Sequence, residues 1–267
     1  MIRVLKQGLK QALSRSGRLA VRMTPRAQVF ELIDALRPVD SGHPLIRFGP
    51  PGDGGYLIPD DLAGIAACFS PGVKYISGFE RDCAQAGMRV FMADYSVDSP
   101  VEMLPAFSFE KKFIGASNHR EFMTLDRWVA ESGLEPASEL MLQMDIEGYE
   151  YEVLFSLTDE LLSRMRIVVV ELHRLERLWD GGCFGMLSRS LYKLLHTHTC
   201  VHIHPNNCCG EARQYGVGIQ RYAEFTFLRN DRIQSCVHCV RLPHLLDVEN
   251  TDGPPLVLDK IWYRPPR

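Results

Sequence analysis

Leu140-Met-Leu-Gln-Met-Asp-Ile-Glu-Gly-Tyr-Glu-Tyr-Glu-Val-Leu154 decides the fold, because an apolar run passes directly into a group of acids. Residues 140–144 have the length and apolar content of a strand buried on both faces of a parallel sheet. Gly148 permits a tight turn, and residues 149–157 read as the helix that follows. Asp145, Glu147 and Glu150 therefore gather at the carboxyl end of a strand, where open α/β sheets place their ligand crevice.

The same alternation extends to both sides. Upstream, strands are predicted over 66–70, 88–94 and near 112–115, with helices over 77–87 and 121–132. Downstream come a helix at 149–155, a strand at 166–172, a helix at 184–196 and strands at 199–204 and 222–229. Repeated strand–helix units predict an α/β fold with a mostly parallel, doubly wound sheet. The last two strands lack a long helix between them, which predicts an antiparallel C-terminal strand.

Several motifs stand on this frame: Asp145-Ile-Glu147-Gly148-Tyr-Glu150 followed by Val153-Leu154, and Ile167-Val-Val-Val-Glu171-Leu-His173 on the next strand. Upstream lie Cys68-Phe-Ser-Pro-Gly-Val73, then Phe79-Glu80, then Asp94 closing another strand. Together they resemble the FkbM family of S-adenosylmethionine-dependent methyltransferases, over residues 52–229. The resemblance implies a Rossmann-like class I methyltransferase fold, S-adenosylmethionine as cofactor, and methyl transfer to a hydroxyl of a sugar or other small metabolite.

The strand-to-helix turn Phe69-Ser70-Pro71-Gly72-Val73 is not Gly-x-Gly-x-x-Gly, so it lacks the glycine turn that holds a pyrophosphate against a helix N-terminus. S-adenosylmethionine has no pyrophosphate, and the resemblance gives Gly72, with Ser70 beside it, to the cofactor. Asp94 follows the turn by about twenty residues, the position from which an acid binds ribose hydroxyls; a loop-capping aspartate is the other reading. Glu80 reaches the cofactor by resemblance, or is a solvated helix charge. Asp53 and Tyr56 belong to Gly49-Pro-Pro-Gly-Asp53-Gly-Gly-Tyr56, read either as a ligand-contacting loop or as a surface turn. Tyr95 is a weaker candidate for stacking beside adenine.

Methyl transfer requires a nucleophile aligned with the sulfonium methyl and, for a hydroxyl acceptor, a group to take its proton. Asp145, Glu171 and His173 sit on two successive strand ends and are the candidate catalytic residues, with Asp145 also facing the cofactor. The same three are the ligand set if a divalent metal is present. His173 can equally be a structural histidine, whereas Asp145 and Glu171 terminate buried strands and carry a desolvation cost unless paired or used. Glu150 and Glu152 read as first-turn acids stabilised by the helix dipole. His202-Ile-His204-Pro-Asn206-Asn207 ends another strand at the same edge, as acceptor-pocket lining or as ordinary loop punctuation.

At 267 residues and a net charge of −3, with a pI near 6.3, the chain fits one large α/β domain and lacks the basic excess that nucleic-acid binding uses. No run reaches the length of a membrane span, and Lys6 and Lys10 interrupt the first residues. The expectation is a cytoplasmic protein whose partner is a small hydroxylated molecule. Residues 1–23 form a basic amphipathic segment suited to weak membrane-surface contact or to self-packing, 24–230 the transferase domain, and 231–267 a tail packed on it. Eight cysteines without a secreted framework predict reduced thiols; Cys208, Cys209, Cys236 and Cys239 with His202, His204 and His238 are a weak zinc candidate. Two other functions account for part of the pattern: a metal-dependent hydrolase built on the acids, or a catalytically degenerate binding module.

Overall fold

Strands rich in Val, Ile, Leu, Met and Phe build a seven-stranded central sheet: β1 Ile65–Pro71, β2 Arg89–Ala93, β3 Phe107–Glu110, β4 Glu139–Met144, β5 Met165–His173, β6 His198–Pro205 and β7 Tyr222–Arg229. Their spatial order is β3-β2-β1-β4-β5-β7-β6. β1 to β5 pair in parallel, while β7 runs antiparallel between β5 and β6. All nine residues of β5 are buried, as expected for a central strand covered on both faces. The chain winds outward from β1 through β2 to β3, then crosses back to β4 and proceeds the other way. This places a topological switch point between the carboxyl ends of β1 and β4.

The computed structural model describes Arg15 and residues 21–73, 76–239 and 241–264. The basic helix expected over 1–23 lies outside the described residues except for Arg15 and 21–23. Of these, Arg22 accepts a hydrogen bond from Gly181 N–H at 2.8 Å, and Met23 bridges to Asp180.

One face of the sheet is covered by α1 (Arg26–Ala35), α3 (Leu125–Glu131), α4 (Glu150–Ser156), α5 (Asp159–Arg164) and α6 (Phe184–Thr197), which bury Leu32, Trp128, Leu154, Leu162 and Leu191. The other face receives Phe79 and Cys83 of α2 (Gly78–Gln85), together with Phe48, Tyr56 and Ile58 of the antiparallel hairpin Leu45–Phe48/Tyr56–Pro59. Arg47 fixes the turn of this hairpin by donating to the carbonyls of Pro50, Gly52 and Gly55 at 3.0–3.2 Å. Helices α3 and α5 start where Thr124 and Thr158 accept N–H bonds from Arg127 and Leu161.

The element near 112–115 differs from expectation. Phe113–Ile114 pairs only with Phe122–Met123, outside the main sheet, and the edge strand is Phe107–Glu110. Because Phe122–Met123 is spent on that pairing and Thr124 caps the helix, α3 begins at Leu125 rather than at 121. The ribbon Glu211–Gln214/Val217–Gln220 and α5 were not foreseen. Beyond β7 the chain returns across the domain, and Trp262 is fully buried against Phe225 while its indole N–H donates to Gly218 O. No described helix is long and apolar enough to cross a membrane.

Candidate active site

Two cavities open at the switch point and share Gly72, Asp145 and Glu147 in their walls. Gly72 has φ +95°, and a Cβ there would lie 1.7 Å from the Asp145 carbonyl oxygen. Glycine is needed here because the ends of β1 and β4 approach each other. The Gly72 N–H donates to Ala93 O at 3.0 Å, which draws in the end of β2 as well.

The first cavity, of about 270 Å³, is lined by Asp94, Ser96, Ile114, Ile146 and the rings of Phe113, Phe122 and Tyr149. Those rings continue a chain that starts at Tyr95, with successive centroids 5.3, 5.4 and 5.8 Å apart. Asp94 is buried at the end of β2, and its Oδ1 accepts from Ser96 N–H at 2.7 Å and from Ser96 Oγ at 2.6 Å. The loop-capping role is therefore present, on one of its two oxygens. Tyr95 itself is outside the lining.

The second cavity, of about 330 Å³, collects Asp53, Tyr56, Glu80, Glu171, His173 and Asn206 among its lining residues. Ser70 lies behind this wall. Its Oγ is 2.5 Å from Glu80 Oε1 and 2.7 Å from Gln143 Oε1, and Gln143 Nε2 is 3.2 Å from the Tyr56 hydroxyl. With the Gln143 amide turned over, every group is satisfied: Tyr56 donates to Gln143, Gln143 to Ser70, and Ser70 to Glu80. Burial pushes the Glu80 carboxyl upward, opposed by the Ser70 hydrogen bond. Burial, reinforced by the charges of Asp145 and Glu224, also raises the Tyr56 hydroxyl well above its ordinary value.

His173 is the centre of the acidic end. Its Nδ1 is 2.9 Å from Glu150 Oε1, and its Nε2 faces Asp145 at 3.7 Å, Glu147 at 3.6 Å and Glu171 at 3.6 Å. Burial pushes the ring down in pKa, but the Glu150 hydrogen bond and the charges of Glu150, Glu171 and Asp145 outweigh it and hold it at about 9. Glu150 is fully buried and also accepts from the N–H groups of Ile146 and Gly148 at 3.1 and 3.0 Å. It is a first-turn acid, as expected, yet its partners are the motif's own turn and His173. Burial, then the charges of Asp145 and Glu224, raises Glu171 well above the carboxylate range, while the Asn206 amide donates to both its oxygens at 3.3–3.4 Å. One donor atom each from Asp145, Glu171 and His173 lie within 4.8 Å of one another, the one such His/Cys/Asp/Glu group among the described residues.

Strand register extends this acidic row. Glu171 pairs with Glu224 on β7, and Glu224 with His204 on β6, so the three share one face of the sheet. Burial lifts Glu224 to about 7 despite His204 and Asn250, whose amide is 2.6 Å away. Asp247, from the segment after β7, meets His202 at 2.8 Å and His204 at 3.7 Å. These contacts outweigh burial and hold the Asp247 carboxyl well below its usual range. Asn207 bonds to Thr251 and to the Gly253 carbonyl, and thereby brings Asn250 and Thr251 into the cavity wall.

Of the residues singled out from sequence, Asp53, Tyr56, Gly72, Glu80, Asp145, Glu171 and His173 line one cavity and Asp94 the other; Ser70 lines neither. Gln143, Asn206, Tyr222, Glu224 and Asn250 were missed or seen only as part of a segment. A polar residue inside an apolar strand, as with Gln143 and Glu224, was the available signal. The cysteine and histidine zinc set is not brought together among the described residues, and all eight cysteines are free thiols.

Residues 92–196 match the sequence model of a methyltransferase FkbM domain. The matched segment starts in β2 and ends in α6, so it contains Asp94, Asp145, Glu150, Glu171 and His173. No curated protein matches the chain.

Proposed function

We propose, from the premise that residues 92–196 carry a methyltransferase FkbM domain, that this chain is an S-adenosylmethionine-dependent O-methyltransferase acting on a hydroxyl of a sugar or other small metabolite. The observation that carries the reading is the pair of cavities joined across Gly72, Asp145 and Glu147. One is aromatic with a single buried acid at a β2 end, as a nucleoside requires; the other is acidic, as suits a cationic sulfonium and a hydroxylated acceptor. The β3-β2-β1-β4-β5 order supports a Rossmann-like class I fold, since it is the doubly wound order of nucleotide-binding sheets.

S-adenosylmethionine, when bound, supplies an electrophilic methyl group on a sulfonium. Asp94 would hold the ribose hydroxyls through the oxygen that Ser96 does not use. Phe113, Phe122 and Tyr149 would enclose the adenine, and Glu80, fixed from behind by Ser70, would bind the methionine ammonium. Asp53 and Tyr56 would close the wall on the hairpin side. At the other end Asp145, Glu171 and His173 would surround the acceptor hydroxyl, the imidazolium orienting it and a carboxylate of the group taking its proton as it attacks. Residues 24–230 are taken as the transferase domain, preceded by a basic segment and followed by a tail that completes the acceptor wall.

Calorimetry with S-adenosylhomocysteine tests the reading. The folded chain is expected to bind one equivalent, and a screen of hydroxylated acceptors then identifies turnover by methyl incorporation. A folded protein that binds neither S-adenosylhomocysteine nor S-adenosylmethionine would refute it.

A further inference from the structure

We infer that Asp145, Glu171 and His173 bind one divalent cation of the oxygen-preferring kind, Mg²⁺ or Mn²⁺, and that this ion grips the acceptor through neighbouring hydroxyl oxygens. The role assigned to the ion rests on the methyl-transfer reading; its binding does not.

Three features carry the inference. His173 Nε2 lies 3.6 Å from Glu171 Oε1 and 3.7 Å from Asp145 Oδ1, beyond hydrogen-bonding range. Around an octahedral ion with bonds of about 2.1 Å, ligand atoms at right angles are about 3.0 Å apart, so a closure of a few tenths of an ångström by each side chain brings both carboxylates to ligand distance from His173, and the three donor atoms already lie within 4.8 Å of one another. Secondly, the His173 ring is 4% exposed, and its Nε2 is turned into the cavity 3.6–3.7 Å from three carboxylates, where a divalent cation would replace its proton as the charge that they face. Thirdly, both buried ligands are oriented from behind. Glu150 fixes the His173 tautomer at Nδ1, and the Asn206 amide holds both oxygens of Glu171. A carboxylate behind a histidine, with the opposite nitrogen presented to open space, is the arrangement that orients metal-bound imidazoles. One imidazole and two carboxylates favour Mg²⁺ or Mn²⁺ over metals selected by thiolates.

Three protein ligands leave half of an octahedron open, enough for two adjacent hydroxyl oxygens and a water. The acceptor class follows from the same wall. The described residues lining this cavity include Asp53, Glu80, Asp145, Glu147 and Glu171, and a neutral vicinal diol would chelate the ion through adjacent oxygens without adding charge. Coordination would lower the pKa of a bound hydroxyl, whose proton would pass to water at the open side of the cavity, so that its oxygen could take the methyl group as the carbon–sulfur bond of the sulfonium breaks.

The test is a Mn²⁺ titration of the full chain with no cofactor or acceptor present, following free Mn²⁺ by electron paramagnetic resonance. One equivalent is expected to bind and to be displaced by Mg²⁺. Glu171→Gln and Asp145→Asn should each weaken binding at least tenfold, and Glu150→Gln by about 10- to 100-fold through loss of the outer support. Asp94→Ala should leave it unchanged. Wild-type protein that holds no Mn²⁺ at millimolar concentration, or Glu171→Gln that holds it as tightly as wild type, would overturn the inference. S-adenosylhomocysteine calorimetry on the same samples separates the two readings. Cofactor binding without Mn²⁺ binding leaves the transferase standing and removes the ion; Mn²⁺ binding without cofactor binding does the reverse.

Discussion

Gly72→Ala is the substitution whose effect the structure specifies most closely. An alanine at φ +95° carries the conformational cost of an L-residue in left-handed space, about 1–2 kcal/mol. Its Cβ would in addition stand 1.7 Å from the Asp145 carbonyl oxygen, a backbone atom with no rotamer to yield. Separating them pushes the ends of β1 and β4 apart, an overpacking cost of typically 1–3 kcal/mol. Together these predict a loss of about 2–5 kcal/mol in unfolding free energy. Gly87 supplies the control: its φ is +92°, and nothing lies within 4 Å of a Cβ built on it, so Gly87→Ala should show the conformational part alone. Urea unfolding of both variants measures the difference, which is the cost of the close approach. Because Gly72 borders both cavities, its variant should also bind S-adenosylhomocysteine at least tenfold more weakly, while Gly87→Ala binds normally. Equal destabilisation of the two variants would refute the claim that contact between β1 and β4 requires glycine.

Replacing Asp94 with Ala should weaken S-adenosylhomocysteine binding by at least about 1.4 kcal/mol, a tenfold loss, as expected when a charge-assisted hydrogen bond to ribose is removed; unchanged affinity by calorimetry in a folded variant would remove the assignment. Asp145→Asn should cut methylation on the order of a hundredfold, measured once an acceptor is in hand; His173→Ala should do the same and also lower unfolding free energy by about 3–5 kcal/mol, because Glu150 is left buried without its partner. His198 is buried, with Nε2 2.7 Å from Met165 O, and burial lowers it to about 4. Its neutral form is favoured in the folded chain, so its contribution is present above pH 6.5 and is lost as pH falls toward 4. Between pH 7 and 5 that amounts to about 2 kcal/mol, and urea unfolding of His198→Gln should show a correspondingly flatter dependence on pH. Trp262→Ala should cost about 3–5 kcal/mol, because a fully buried indole on Phe225 is removed; a change below 1 kcal/mol would show the tail undocked in solution.

The fold was legible wherever burial alone sets residue choice. β4 and β5 are covered on both faces, so their sequences are apolar almost without interruption until Asp145 follows the end of β4 and Glu171 and His173 fall within the last three residues of β5. Elements stabilised by one partner were harder to place. Phe107–Glu110 and Phe113–Ile114 have similar alternation, and only the position of β2 decides which of them joins the sheet. The ribbon at 211–220 has two exposed tips, Tyr215 and Gly216, and little apolar content to announce it. Within the site, residues supplied by strand ends were readable from order and spacing. Glu224 and Asn250 were not, because their place beside Glu171 comes from an antiparallel strand and a returning tail, and neither contact is encoded in local pattern. Glu150 shows the converse: local reading identified a helix-start acid, but only the packed structure turns it toward His173.

The insertion of β7 between β5 and β6 has a consequence for the order in which the protein can be assembled. Everything that borders the Asp94 cavity has left the ribosome once Tyr149 has, whereas the acidic cavity waits for Tyr222 and finally Asn250 and Thr251. β5 and β6 cannot close directly on each other without shutting β7 out of the sheet. In the finished sheet the place between β5 and β6 is filled by β7, which follows both in the chain. The cavity at Asp94 is therefore assembled from chain made earlier, and the acidic one needs a strand and a returning segment made after it.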